Sequence, residues 1–267
     1  MRAPGETYAK ASIFRTRGDE EFDAAGARQP LFDPALVEEG RYLESGASVY
    51  AEHGLTRDVT LVASVLIKVA DLEAVDRQVT SDVRALSFGI PDLRFGARLP
   101  LTRGKVVAAL EPGVTLPLQA VERRTDDSPR IGGQSTSFAL GASIGTSLPT
   151  GGGYVQAGGG YRARSGKPPD EWFGDAEMGM EIASPFRIRF RWDTVDARNV
   201  KAGGAEAVVV AAESGSQDLH RIAPTLAIAS RGGSEFSFTW RRVVSGRSAL
   251  RSSEIEVAFA FLGTTSR

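Results

Sequence analysis

The charged residues most able to take part in binding or catalysis lie in one alternating stretch, residues 186–193. Large apolar side chains occupy every even position of this stretch, and a charged side chain occupies every odd position. Successive side chains of a β-strand point to opposite faces, so this spacing predicts a strand with one apolar face and one fully charged face. The charged face would carry Arg187, Arg189, Arg191 and Asp193 in a single row.

Acidic residues just ahead of this row are its predicted partners. If residues 183–185 form a tight turn, the antiparallel register places Glu181 opposite Arg187 and Glu177 opposite Arg191. The same register brings together two further pairs, Asp175 with Asp193 and Gly179 with Arg189. Two interpretations remain open: an ion-pair ladder that satisfies the interior of a narrow barrel, and a charged constriction that selects permeating solutes.

Two further sets of charged residues fall on the polar faces of other predicted strands. The first set is Asp92, Arg94, Arg98 and Glu111, and the second is Arg162, Arg164, Arg221 and Arg241. Arginines on several strands could line a path that prefers anions. We favour the alternative that they pair with Glu44, Glu52, Glu111 and Glu235, because the whole chain has 32 Lys and Arg residues and 33 Asp and Glu residues.

No pattern in the sequence predicts an enzyme, a cofactor site or a metal site. The chain has no cysteine, which excludes disulfides, Cys-ligated zinc, iron–sulfur clusters and thiol nucleophiles. Neither of its two histidines, His53 and His220, has the serine and third polar group that a lipase triad requires. The glycine triplets at residues 151–153 and 158–160 lack the Lys-Ser/Thr sequel of a phosphate-binding loop.

Period-two alternation runs through the whole chain and indicates an all-β protein. Clear examples are residues 59–69, 138–144, 236–240 and 255–261, in which apolar and polar or small residues alternate. Counting such runs between turn signals predicts about 12 antiparallel strands, an even number as in bacterial single-chain barrels. Short turns alternate with longer polar connections, predicted at residues 18–41, 71–84, 119–132, 165–170, 197–217 and 245–252.

Three features favour a membrane barrel over a soluble β-sandwich or a lipocalin-like binding protein. Small residues crowd the polar faces, as a concave interior demands, and no large residues remain to fill the space between two sheets. Aromatic residues lie at strand ends, as interfacial girdles do; they are Tyr8, Phe14, Tyr42, Trp172, Trp192 and Trp240. We therefore predict a single up-and-down antiparallel transmembrane β-barrel over residues 1–267.

Five segments have the character of framework motifs; they are residues 50–61, 89–98, 153–157, 161–164 and 168–171. Together they resemble the meta-pathway phenol-degradation family of outer-membrane proteins, and the resemblance extends from about Tyr8 to Leu262. Members of this family are described as candidate outer-membrane transporters, so the resemblance implies a barrel in the bacterial outer membrane and brings no catalytic residues with it. Because the first residues lack the apolar core of a signal peptide, we expect an export signal to have been removed.

The sequence thus predicts a channel or transporter that passes a small solute through a charged lumen. Its expected partners are membrane lipid and the solute. A formal net charge of −1 argues against a nucleic-acid partner. Two alternatives remain open: a plugged barrel that acts as a structural or surface-binding scaffold, and a soluble β-sandwich that binds a ligand.

Overall fold

The computed structural model of the protein describes residues 2–35, 37–76, 82–118, 135–149, 152–166, 169–197, 217–230 and 232–264. Within these ranges, no helix is long and apolar enough to cross a membrane. The strands are β1 (Glu6–Phe22), β2 (Arg28–Pro30), β3 (Val37–Gly54), β4 (Thr60–Asp76), β5 (Asp82–Gly89), β6 (Asp92–Arg103), β7 (Val106–Pro117), β8 (Ser137–Ser147), β9 (Gly153–Arg164), β10 (Glu171–Ala183), β11 (Phe186–Ala197), β12 (Asp218–Ala229), β13 (Glu235–Arg247) and β14 (Ala249–Thr264).

These strands form one closed antiparallel sheet. Long strands pair with their neighbours in chain order, and β14 pairs back onto β1, from Glu6 opposite Thr264 to Phe22 opposite Ala249. The short strand β2 only extends the pairing at the end of β1, and β5 and β6 pair with successive parts of β4. The described strands therefore close a 12-strand up-and-down barrel, which confirms the predicted fold.

The connections differ at the two ends of the barrel. Short turns join β3 to β4, β6 to β7, β8 to β9, β10 to β11 and β12 to β13, and both Glu6 and Thr264 lie at this end. We call it the short-turn end, and we call the opposite end the long-loop end. In bacterial barrels the short turns face the periplasm and the longer loops face outwards.

Strands at the long-loop end continue into regions where the sequence predicts loops. The predicted loop 18–41 begins inside β1, which ends at Phe22, and the predicted loop 71–84 begins inside β4, which ends at Asp76. The outward face is polar here, as the ion pair between Arg41 and Glu73 illustrates, whereas inward side chains such as Leu72 are apolar. The backbone ladder therefore continues without the apolar outward face that marks a strand in the sequence.

Three other predicted connections lie at this end of the barrel. Residues 245–252, predicted as a long connection, contain a tight turn at Ser248, whose positive φ of 48° reverses the chain between β13 and β14. The predicted loop 119–132 lies outside the described residues, and so do residues 198–216 of the predicted loop 197–217.

The outward face of the barrel is apolar, and its inward face is polar or small. On β11, Ile188, Phe190 and Trp192 point outwards and are 40%, 44% and 39% exposed. On the inward face, residues such as Ala227 and Ser237 are buried. A soluble sandwich would bury its large apolar residues, so this distribution contradicts the sandwich alternative and is that of a barrel surrounded by lipid.

The predicted aromatic girdle is only partly outward-facing. Trp172 and Trp192 point outwards in the half nearer the long-loop end, and Trp240 points outwards near the middle of β13. Three other residues assigned to the girdle face the interior: Tyr8 opposite Glu52, Phe14 opposite Gly46, and Tyr42, whose hydroxyl donates to Glu44. The ring of Phe14 fits there because Gly46 has no side chain to occupy the same space.

Candidate functional site

The β10–β11 hairpin presents its charged row to the lumen of the barrel. Because the outward positions of both strands are apolar, the alternating charged positions must point inwards. The backbone register places Glu181 opposite Arg187 and Glu177 opposite Arg191. It also places Gly179 opposite Arg189 and Asp175 opposite Asp193.

At the side-chain level, Glu181 keeps its expected partner and Glu177 does not. Glu181 Oε2 lies 3.7 Å from Arg187 Nε. Glu177 instead accepts a hydrogen bond from the hydroxyl of Tyr154 on β9. The ring of Tyr154 lies over Gly179, where an added Cβ would come within 2.5 Å of it, so this glycine makes room for the tyrosine rather than for an arginine.

Arg191 is paired with aspartates from both strands of the hairpin. Its Nε donates to Asp193 Oδ1 at 2.7 Å, and its Nη2 lies 3.6 Å from Asp175 Oδ2. The shared arginine offsets the repulsion between these two neighbouring carboxylates. The predicted ion pair between Arg191 and Glu177 is therefore replaced by an Asp–Arg–Asp cluster.

Glu235, at the start of β13, receives two arginines that reach across β12. Arg189 Nη2 donates to Glu235 Oε1 at 2.7 Å, and Arg187 Nη1 lies 3.8 Å from Glu235 Oε2. The reach is possible because β12 presents small, buried residues, Ala223 and Ala227, to the lumen. The charged ladder thus extends over more strands than the hairpin that the sequence indicates.

A second cluster is centred on Glu52, which is buried on β3. Its carboxylate accepts hydrogen bonds from Arg98 on β6 and from Arg2, which precedes β1. Arg98 Nε also lies 3.2 Å from Glu111 Oε1 on β7. Two residues of the predicted inward set, Arg98 and Glu111, therefore contact each other. The other two residues of this set, Asp92 and Arg94, pair separately at 3.3 Å.

The remaining predicted arginines lie towards the long-loop end. Arg162 and Arg164 both donate to Glu171, which is almost fully buried. Arg241 donates to Glu254 on β14. Arg221 differs from these, because among the described residues it makes no hydrogen bond or ion pair and its buried Nε–H has no acceptor.

The lumen wall combines charge pairing with access to water. The side chains of Arg94, Arg187 and Arg191 have carboxylate partners and are nevertheless 53%, 48% and 44% exposed. A packed core would exclude water from such groups, because burying a charge carries a large desolvation cost. The lumen wall therefore carries paired charged side chains that remain partly accessible to water.

The two histidines lie on the outward face, away from the lumen clusters. His53 Nδ1 lies 2.9 Å from the hydroxyl oxygen of Thr7, and the ring of His220 stacks on Trp192 with centroids 5.7 Å apart. In the part of the chain that the structure describes, no group of three or more His, Asp or Glu residues is placed to hold a metal ion.

The lumen residues that sequence reasoning missed include Tyr154 and Arg2. Tyr154 could have been found from its parity, because it shares the inward face of β9 with Gln156 and Gly158. The inward position of Arg2 could not be predicted from alternation, because Arg2 precedes the first alternating run and belongs to no strand.

The fold is similar to solved structures of outer-membrane channels and porins. An outer membrane channel from Pseudomonas putida F1 matches with a TM-score of 0.72 and 11% identity, over 98% of this chain and 97% of that chain. The NanC porin matches with a TM-score of 0.51 and 8% identity, over 93% and 98% of the two chains. The KdgM porin gives a TM-score of 0.50 and 8% identity, over 94% and 98%.

No family model matches the chain. No curated protein matches it either. At identities this low, the structural likeness shows a shared fold, which is the fold of outer-membrane channels and porins.

Proposed function

We propose that the protein is a channel of the Gram-negative outer membrane that passes a small solute through its charged lumen. The apolar outward face supports insertion into a bilayer, and the short-turn end would face the periplasm. We also propose that it belongs to the meta-pathway phenol-degradation family. The segments that resemble that family support this assignment, and so does the fold shared with the Pseudomonas putida F1 channel.

The observation that carries the channel proposal is that arginines in the lumen are paired with carboxylates and still exposed to water. Arg187 and Arg191 point into a closed barrel, have carboxylate partners and remain nearly half exposed to water. Paired charges keep a water-filled path electrically balanced, and their exposed remainder can interact with a passing polar solute. No catalytic role follows from this arrangement, because most of these charges are occupied by structural partners.

The direct test is electrical recording from the refolded protein in a planar lipid bilayer. A channel gives discrete, reproducible conductance steps that scale with the number of inserted barrels. A solute-swelling assay on liposomes, with empty liposomes as the control, then reports whether neutral solutes also pass. Stable insertion without conductance or swelling would contradict the channel function.

One observation favours the alternative of a closed scaffold. Arg2, ahead of β1, is held inside the lumen by Glu52 and lies 4.7 Å from the ring centre of Tyr8. If these residues block the path, Arg2→Ala raises the conductance of inserted barrels. If the path is already open, the same substitution leaves the conductance nearly unchanged.

A further inference from the structure

A cavity of about 210 Å³ lies in the long-loop half of the lumen, around Arg221. A single ordered water needs only on the order of 10–15 Å³ of such space, so the cavity can hold a larger guest. Its lining includes polar side chains, such as Gln217, Arg221 and Ser252, and apolar side chains, such as Leu219 and Val243.

The charges around this cavity leave one guanidinium without a partner. Lys68 is paired with Glu44 at 3.0 Å, and Arg241 donates to Glu254. Arg221 has no such partner among the described residues, and its Nε–H is buried without an acceptor. A buried donor that lacks an acceptor is costly, and it indicates a place for a ligand or an ordered solvent molecule.

The neighbouring carboxylate does not fill this role. Asp193 lies opposite Arg221 in the strand register, but its oxygen accepts from Arg191 at 2.7 Å. The charged side chains that line the cavity are three cations, Lys68, Arg221 and Arg241, and two anions, Glu44 and Glu254. The cavity therefore retains the positive charge of Arg221 itself.

We propose that this cavity is a binding site for small carboxylates that have a short apolar part, with Arg221 as the residue that holds the carboxylate. A carboxylate offers two acceptor oxygens to a guanidinium, and charge-assisted hydrogen bonds of this kind are among the strongest in proteins. The apolar remainder of the ligand would lie against Leu219 and Val243. This inference rests on the proposed channel function and names the class of solute that such a channel selects.

The test is calorimetric titration of the refolded barrel in detergent with butyrate and with butyramide, its uncharged counterpart of nearly the same size. We expect binding of butyrate and at least about tenfold weaker binding of butyramide, because only the carboxylate carries the charge. Arg221→Gln should weaken butyrate binding at least about tenfold, and Arg221→Lys, which keeps the charge, should weaken it less. Equal binding of the two ligands, or equal affinity in Arg221→Gln, would overturn the proposal.

Arg94→Gln is the matched control. It removes one lumen arginine that is already paired with Asp92, and Arg94 does not line the cavity. We expect the butyrate affinity of Arg94→Gln to stay within about twofold of that of the unsubstituted protein. That result would show that the effect of Arg221→Gln is local and does not follow from the loss of any lumen charge. Because titration in detergent needs no ion flow, a conducting barrel that does not bind butyrate overturns this site alone. Binding without conductance would overturn the channel function and leave the site standing.

Discussion

Glu235 holds the two arginines nearest the short-turn end of the hairpin. It accepts a 2.7 Å hydrogen bond from Arg189 and lies 3.8 Å from Arg187, which also contacts the more exposed Glu181. Removal of Glu235 leaves Arg189 without a carboxylate partner, whereas removal of Glu181 leaves Arg187 with Glu235. The two glutamates therefore differ in what their loss exposes.

We predict that Glu235→Gln lowers the free energy of unfolding by about 2 kcal/mol, as expected for a hydrogen bond to a charged group. Glu181→Gln should lower it by less than about 1 kcal/mol, because that pair is long and exposed. Urea titration of the barrel folded in lipid vesicles measures both values. A larger loss for Glu181→Gln would contradict the assignment of Glu235 as the main partner.

Some contacts of the charged residues in the β10–β11 hairpin could be predicted from the sequence, and others could not. The alternation of residues 186–193, together with the predicted turn, placed Glu181 opposite Arg187 as the structure has it, although the sequence did not reveal the bulge between Glu181 and Ala183 that sets this register. It did not reveal that Arg189 reaches Glu235. A long side chain in a concave lumen can cross a strand of small residues, and that reach depends on the curvature of the closed barrel rather than on adjacent positions.

Among the strands, β11 has the clearest separation of its two faces. Its outward residues Ile188 and Phe190 are exposed on the outer surface of the barrel, while Arg189 and Arg191 point into the lumen. In a membrane, the outward positions near mid-strand would lie in hydrocarbon. A charge placed there loses its hydration without gaining a partner.

We predict that Ile188→Arg makes folding into lipid vesicles less favourable by about 2–4 kcal/mol. The control is Ser143→Asn, which changes a lumen residue that donates to Glu111 and leaves a donor in place. Its cost should be under about 1 kcal/mol. Equal costs at both positions in a refolding titration would show that Ile188 does not face lipid.

Strand length explains why the boundaries at the long-loop end were not predicted. β1, β3 and β4 contain 17, 18 and 17 residues, whereas a tilted strand crosses a bilayer in about 9–11. Apolar alternation marks only the part that faces hydrocarbon. Beyond it, pairing continues between polar residues such as Gln29 and Glu21, whose side chains hydrogen-bond at 2.5 Å.

Closure of the whole barrel depends on the pairing of β1 with β14. On the inward face of this seam, Lys10 Nζ donates to Glu256 at 2.6 Å and Thr16 donates to Glu254 at 3.0 Å. A closed sheet has no unpaired edge, so detergent cannot open it strand by strand. The whole barrel should therefore unfold as one unit.

We predict that the folded protein migrates faster on SDS gels before boiling than after it. Resistance to SDS follows from closure, because unfolding requires many seam hydrogen bonds to break together. The folded protein should also need detergent or lipid to stay in solution. A monodisperse monomer in detergent-free buffer, with identical migration before and after boiling, would contradict the membrane barrel.

Current through single-cysteine variants tests most directly whether solutes pass through the lumen. The chain has no cysteine, so one introduced thiol is the only target for a charged methanethiosulfonate reagent. Thr225 faces the lumen, where its hydroxyl lies 2.9 Å from that of Thr239, and the adjacent Leu226 faces outwards and is 47% exposed. In planar bilayers, the reagent should reduce the current of Thr225→Cys and leave that of Leu226→Cys unchanged. An unchanged current in Thr225→Cys after confirmed labelling, or an equal reduction in both variants, would contradict passage through the lumen.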